Sequence, residues 1–518
     1  MKKVRQFILN GLLITSVSLL MRTVGVSYNV YLSNKIGAVA MGLFTLISTV
    51  YGFAITLATS GIGLATTRLV AKALGTADDK ADIRVRYTLK RCIVYSLLFS
   101  IAATVLLYGF SPFLGNSVLK DARTVLPLKL LCATLIPISL SSVLSGYFVA
   151  LRHAYKNALT QVLSQGIKIY SSVILLSSVY GDTVEGACAC VALSGILTEG
   201  ISLGVQLILY QIEKRKKGGA LLPTEQKEIR QELWSTALPV GFSAYLRAGL
   251  ITIEHILIPR GLEKSGASRD LSLASYGVVH SMVFPLILFP SAITNSFAGL
   301  LIPEVAQAHA AKDFPKLERM IRRVFSAVLS YAIGTAGILM CFSIPLAEII
   351  YPETDAGRFI LMVAPLVPVM YLDTSTDAFL KGMGDQFYCM IVNVVDSFLS
   401  VILVWILLPR MGINGYIVTV YFTEILNAAL SIARLLRITK IKIHWFDWIL
   451  RPLFCTVAAT LSVRQLIRLL HISIESSFCL GIQLTLCSAL YLLLILLSKK
   501  KKSLRKVTFS FYFSFVRL

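Results

Sequence analysis

The sequence predicts an all-α polytopic membrane protein: about 14 transmembrane helices in two six-helix lobes, related by a pseudo-twofold along the membrane normal, with an additional C-terminal helix pair. Three observations predict it. The 518-residue chain is 56% hydrophobic and only 15% charged, outside the range of soluble globular domains. Fourteen apolar runs of roughly 20 residues or more follow one another, each long enough to cross about 30 Å of hydrocarbon. None has the short alternating pattern of barrel strands, so helices must satisfy the backbone in lipid.

The runs lie at approximately 7–33, 42–66, 89–111, 125–150, 157–180, 187–210, 233–258, 275–302, 324–350, 359–380, 387–408, 413–433, 446–463 and 474–498. The start, MKKVR, is signal-like, but the run after it is too long and too polar in its middle for a cleaved signal and is read as helix 1. Residues 1–212 form the N-terminal lobe. A Gly/Pro break and charge run, EKRKKGGALLPTEQKEIR at 213–230, reads as a cytoplasmic linker. Residues 231–437 form the C-terminal lobe, and 438–498 the appended helices 13 and 14.

Internal similarity supports the halves. VAKALGTADDKADIR from Val70 aligns without gaps with VAQAHAAKDFPKLER from Val305, after helix 2 and helix 8. LIPISLSSVLSGYF from Leu135 aligns with LVPVMYLDTSTDAF from Leu366, in helices 4 and 10. An even number of helices per half gives both copies one orientation, hence a parallel repeat.

Net charge is +23, yet the 50 Lys and Arg are not spread as a nucleic-acid footprint. Most fall in loops on the side that carries the N-terminus, and few in the alternate loops. This positive-inside pattern predicts a multi-pass protein of a bacterial cytoplasmic membrane with both termini in the cytoplasm. The tail, 499–518, opens on KKKKSLRK, a polybasic run suited to anionic lipid head groups. The nine cysteines lack metal spacing and lie nearly all in apolar runs, where they read as small packing residues. No cofactor or metal site is expected.

Two arginines stand out. Arg22 sits within about one turn of the centre of helix 1, and Arg247 near the centre of helix 7. A lone cation at that depth costs about 2.5–3.5 kcal/mol on insertion scales, so each should face water or an anion. Lys168 joins them on helix 5, where Gln161, Gln165 and Lys168 are spaced i, i+4, i+7 on one face. Guanidinium forks, an ammonium and amides suit a sugar diphosphate. Against this, Glu254, two turns from Arg247, could simply pair with it. Lys129 and Arg451 read as snorkelling cations.

Membrane acids are concentrated in the second half: Glu254, Asp373, Asp377, Asp396 and Glu424, with Asn393 beside them. Two carboxylates one turn apart share a proton or hold a cation, which suits Na+ or H+ coupling. The competing reading is structural, with Asp377–Lys381 a pair near the inner interface. His255 and His280 read as packing residues. Glu199 on helix 6 reads as cavity-facing, with no partner evident.

Three stretches, LLMRTVGVSYNVYLSNKIGAVAMGLFTLISTVYGF, TSGIGLATTRLVAKALG and SGYFVALRHAYKNALTQVLSQGIKI, resemble the polysaccharide-transporter branch of the multidrug/oligosaccharidyl-lipid/polysaccharide exporter superfamily. Within it the resemblance is greatest to the stage V sporulation protein B group. It implies two lobes forming a V around a central cavity, which flip undecaprenyl-diphosphate-linked saccharides such as peptidoglycan precursors by alternating access. For the sporulation group it further implies a part in spore cortex synthesis. Lipid II flippases of the superfamily carry two arginines, six apart, on helix 1; Arg22 matches the first and Tyr28 stands at the second.

Two alternatives compete with a flippase. A cation-coupled multidrug or metabolite antiporter of the same superfamily should carry acids in its first lobe, and helices 1 to 5 hold none within the membrane. A membrane-embedded saccharide polymerase or glycosyltransferase needs an acid/base or metal constellation on a sizeable loop. The outside loops are short, so an enzyme is not expected.

Overall fold

The computed structural model describes residues 2–75, 81–151, 153–178, 183–213, 222–352, 354–441, 445–469 and 477–500. Part of the expected linker (214–221) and most of the basic tail (501–518) lie outside the described residues. What is described is almost wholly helical. Among the described residues, 11 helices are long and apolar enough to cross a membrane, or up to 12 if a bent pair is counted as one span. The expected count of 14 and the lobe symmetry go beyond this.

The first element shows why counting is not simple. Helix α1 (Lys2–Thr59) runs for 58 residues. At ~1.5 Å per residue that is far more than one bilayer thickness. Gly37, with φ +77° and ψ 169°, breaks it into two helices. A side chain would be strained at that φ, so glycine is the residue that permits the corner.

Packing divides the chain into two units, Met1–Ser281 with Ser397–Tyr416, and Met282–Asp396 with Ile417–Leu518. The first contains α1, α2 (Ile62–Gly75), α3 (Ala81–Phe113), α4 (Val125–Cys132), α5 (Leu135–Ala150), α6 (Ala154–Ser178), α7 (Val184–Glu213), α8 (Pro223–Lys264) and α9 (Arg269–Gly277). Small residues let its backbones touch. A Cβ on Gly42 would lie 1.9 Å from the Leu273 carbonyl oxygen, and one on Gly277 2.5 Å from that of Ala38, so α1 and α9 meet main chain to main chain. Gly146 of α5 likewise faces the Gly63 carbonyl of α2. Between these contacts Ile62, Leu89, Cys92, Val143 and Phe148 form a buried apolar core.

Helix α8 begins inside the expected linker, where 223–230 is already helical, and packs on α1, α2 and α3. Its middle is seated on the corner between α1 and α2, where Gly241 approaches Ser60 and Gly61 approaches the Ala237 carbonyl. Both its ends are tied. At one, Glu225 pairs with Arg84 (2.6 Å) and Glu232 with Lys72 (2.8 Å). At the other, Arg260 donates to the carbonyls of Ser117 and Val118. Just beyond, Arg269 donates to the Leu119 carbonyl (2.7 Å), and Arg123 bridges Asp121 (2.8 Å) and Asp270 (2.9 Å).

The second unit holds α10 (Phe284–Leu288), α11 (Ser291–Ala310), α12 (Phe314–Cys341), α13 (Ser343–Ile350), α14 (Ala356–Val363), α15 (Val367–Gly382), most of α17 (Ile413–Thr439), α18 (Arg451–Leu469) and α19 (Ser477–Lys500). Helix α16 (Gln386–Met411) contributes to both units. The appended α18 and α19 pack against each other and on α12, where Gly337 leaves room for Thr456 and Gly334 for Tyr491. All nine cysteines are free thiols, and seven are buried.

Candidate functional site

In the first unit, α1 and α6 are joined at the position beside Arg22. The Tyr28 hydroxyl and Ser172 Oγ share a hydrogen bond of 2.6 Å, and Ser172 donates to Ser194 on α7 (2.8 Å). That chain buries Tyr28, and the Lys168 ammonium lies 5.6 Å from the centre of its ring, a cation–π contact. Glu199 on α7 is within electrostatic reach of Lys168. The sequence pattern does not show this relation, because the two residues come within reach only through the packing of α6 on α7. Arg22 is half-buried and engaged with its surroundings. On α6, Gln161 is exposed and Gln165 half-buried, so the polar stripe passes from an open end toward the Tyr28–Lys168 contact.

Arg247 is different. It stands exposed near the middle of α8, and its guanidinium has no ion-pair partner among the described residues. Glu254 does not neutralise it: the Glu254 carboxylate accepts a 2.6 Å hydrogen bond from Ser400. Next to Glu254, His255 Nδ1 bonds the Tyr276 hydroxyl at 2.6 Å, and its ring lies 4.6 Å from that of His280. The two histidines thus form one cluster of tilted and edge-on rings with the buried Tyr276 and Tyr416. His280 is carried there by a π-helical turn, Val278–Val283.

The second unit gathers Asp373 of α15, Asp396 of α16 and Glu424 of α17, whose charges act on one another. Asp373 Oδ1 is buried without a hydrogen-bond partner among the described residues, facing Ser431. Asp377 pairs with Lys381 at 2.8 Å, one turn along. The Asn393 amide donates to the Cys389 carbonyl within its own helix (2.7 Å). Of the six residues considered for cation coupling, three therefore converge, Asp377 borders them with a lysine attached, and Glu254 belongs to the other unit. No three His, Cys, Asp or Glu among the described residues close around a metal position.

Outside the membrane segments, Asp121 is the group whose ionisation the fold shifts most legibly. Burial opposes its charge, but hydrogen bonds and charge from Arg123, with Arg269 nearby, win and hold the carboxyl below its ordinary value.

The described residues thus place cations in the first unit, Arg247 without an ion-pair partner among them, and three acids that act on one another in the second. Residues 7–262 match the family described as polysaccharide biosynthesis protein, and residues 266–406 match MatE. Together the two matches bear out the resemblance to the multidrug/oligosaccharidyl-lipid/polysaccharide exporter superfamily and its polysaccharide-transporter branch. It is 23% identical to stage V sporulation protein B of Bacillus subtilis over 512 residues, 97% of each chain. To the lipid II flippase MurJ of the same organism it is 21% identical over 80% of each chain. Among solved structures, MurJ in an inward closed conformation superposes with a TM-score of 0.69, at 14% identity, over 93% of this chain and 98% of that one. An inward-facing multidrug MATE transporter gives 0.60 at 16% identity, over 83% and 100%. These relatives are transporters and flippases, not enzymes.

Proposed function

We propose that this protein moves an undecaprenyl-diphosphate-linked saccharide, a peptidoglycan precursor or related polysaccharide unit, across the cytoplasmic membrane by alternating access. Both termini lie in the cytoplasm in this reading. The six-helix halves 1–212 and 231–437 flank the linker, and the basic tail rests on anionic lipid. The observation that carries the proposal is Arg247: an exposed guanidinium at mid-helix, not paired with Glu254 of the same helix, requires water or an anion in place of acyl chains. Arg22, Lys168, Gln161 and Gln165 supply further donors for a diphosphate and its sugar. The likeness to stage V sporulation protein B supports a role in spore cortex synthesis.

The acids of the second unit support cation coupling. Asp373, Asp396 and Glu424 cannot all be charged together at low dielectric without a counter-ion. A shared proton or a bound cation would relieve this repulsion. This cluster is also the feature that favours the antiporter reading.

The test is reconstitution into liposomes and measurement of transbilayer movement of defined undecaprenyl-diphosphate saccharides, with Arg22→Ala and Arg247→Ala in parallel. Loss of transport in both variants, with unchanged folding, is the expected result; full activity in both refutes the cationic mechanism.

A further inference from the structure

The far end of α8, outward in the proposed topology, forms one wall of a pocket of about 300 Å³. Lys120, Arg260, Glu263, Lys264, Trp405 and Pro409 are among the residues that line it. Its size is at the small end of ligand sites, with room for a head-group phosphate but not for a whole lipid-linked saccharide. Three segments build it: the loop after α3, the last turns of α8 and the last turns of α16. The two helices are closed on each other, since a Cβ on Gly261 would lie 2.6 Å from the Leu408 Cβ. The loop is fixed as well. Arg260 donates to the carbonyls of Ser117 and Val118, Arg269 donates to that of Leu119, and Leu119 itself is buried. Lys120 follows directly with φ +55°, a conformation lysine rarely adopts. Its ammonium is therefore carried on a preorganised support.

The charges around this pocket do not balance. Arg123 binds Asp121 and Asp270, and Arg269 binds Glu263, so the acids of this end are taken up by arginines outside the pocket. Lys120, Arg260 and Lys264 have no ion-pair partner among the described residues. Arg260 spends one terminal nitrogen on the two carbonyls, while its buried Nε has no hydrogen-bond partner among the described residues. A guanidinium with donors to spare and two ammonium groups thus converge on the side whose loops are otherwise poor in cations. Trp405, 63% exposed in the pocket wall, is a residue type that settles at head-group depth. Along α8 the pocket lies roughly 20 Å beyond Arg247 at ~1.5 Å per residue, which separates it from the mid-helix arginine.

We infer that this pocket receives the diphosphate of the transported lipid at the outer face: Arg260, Lys120 and Lys264 meet its oxygens, and the exposed indole of Trp405 flanks the tail. A diphosphate ester carries at least two negative charges and several acceptor oxygens, which a guanidinium and two ammonium groups satisfy together. A phosphodiester lipid, with a single charge, leaves the cations uncompensated. The inference rests on the lipid-linked substrate proposed above, and it adds an exit station to the mid-membrane arginines.

The experiment uses the full chain in phosphatidylcholine nanodiscs and the Trp405-dependent fluorescence, taken as the difference between the native protein and Trp405→Phe. Undecaprenyl diphosphate, phosphatidylglycerol and inorganic diphosphate are titrated separately. A saturable change with undecaprenyl diphosphate, a weaker one with inorganic diphosphate and none with phosphatidylglycerol are expected. Lys120→Gln and Lys264→Gln, both at exposed positions, should each weaken the response to undecaprenyl diphosphate about ten-fold, the loss of one charged contact. Arg247→Ala should leave it unchanged. An equal response to phosphatidylglycerol marks a general phospholipid seat and overturns the inference, as does a response to inorganic diphosphate alone or to nothing. Loss of the signal in Arg247→Ala with retention in both lysine variants overturns it too, because the indole would then be reporting the mid-membrane site. If lipid II crosses liposome bilayers while the Trp405 signal stays flat, the pocket fails and the flippase reading survives. If the signal responds as expected while no lipid-linked saccharide crosses, the flippase reading fails and the diphosphate pocket stands.

Discussion

Gly42→Ala tests the packing on which the first unit depends. A Cβ at position 42 would lie 1.9 Å from the Leu273 oxygen and 2.7 Å from its carbonyl carbon, both main-chain atoms that no rotamer change can move. Reaching the 3.4 Å of ordinary contact requires α1 and α9 to part by about 1.5 Å. Parting would also pull on the Thr45–Ser281 hydrogen bond one turn away. Overpacking of this kind costs about 1–3 kcal/mol, and a rigid main-chain clash belongs at the upper end. Gly52→Ala is the control, because a Cβ there meets nothing within 4 Å, and alanine gains up to ~1 kcal/mol of helix propensity. Thermal unfolding in detergent, followed by size-exclusion fluorescence, should therefore show Gly42→Ala melting well below the native protein and Gly52→Ala at or above it. Equal midpoints for the two variants would refute the argument from α1–α9 contact.

Asp373→Asn and Glu424→Gln should each remove the dependence of transport on an imposed pH gradient while leaving the folded protein intact; a retained dependence in both would exclude the cluster from coupling. Asp121→Asn should destabilise the protein by about 1–3 kcal/mol near neutral pH, the value of hydrogen bonds to a charged group. The Asp121 carboxyl sits below its ordinary 3.8, so its contribution is complete above that pH and is lost only as pH falls through the lower folded value. The gap in melting temperature between native and variant should accordingly hold from pH 7 to 5 and close in stronger acid.

Hydropathy made most of the membrane helices legible, because lipid imposes length and composition on a crossing. Ala154–Ser178 shows the limit: Gln161, Gln165 and Lys168 dilute its hydropathy, and it is not among the helices apolar enough to cross by composition, though the sequence pattern marks it as helix 5. Lengthwise spacing also revealed the Asp377–Lys381 pair, since i, i+4 neighbours need no tertiary knowledge. Contacts between helices were not legible. Nothing in the local sequence pairs Glu254 with Ser400, 146 positions away, or sets Lys168 over Tyr28. Nor does a charge tally distinguish Arg123 and Arg269 as a bonded network from cations that merely set topology. Those partnerships follow from which helix faces meet, and the α1–α9 and α1–α8 faces are marked in sequence only by glycines whose role emerges on assembly.

The ties along α8 bear on how cargo is handled. To separate from α1, α2 and α3, this helix must give up two carboxylate pairs at one tip, the arginine-to-carbonyl bonds at the other, and the glycine seat at its waist, all at once. A working stroke that preserves them carries Arg247 and the segment of α1 beyond Gly37 as one block. Spin labels on α8 and on α1 beyond Gly37 would then keep one separation through the whole cycle.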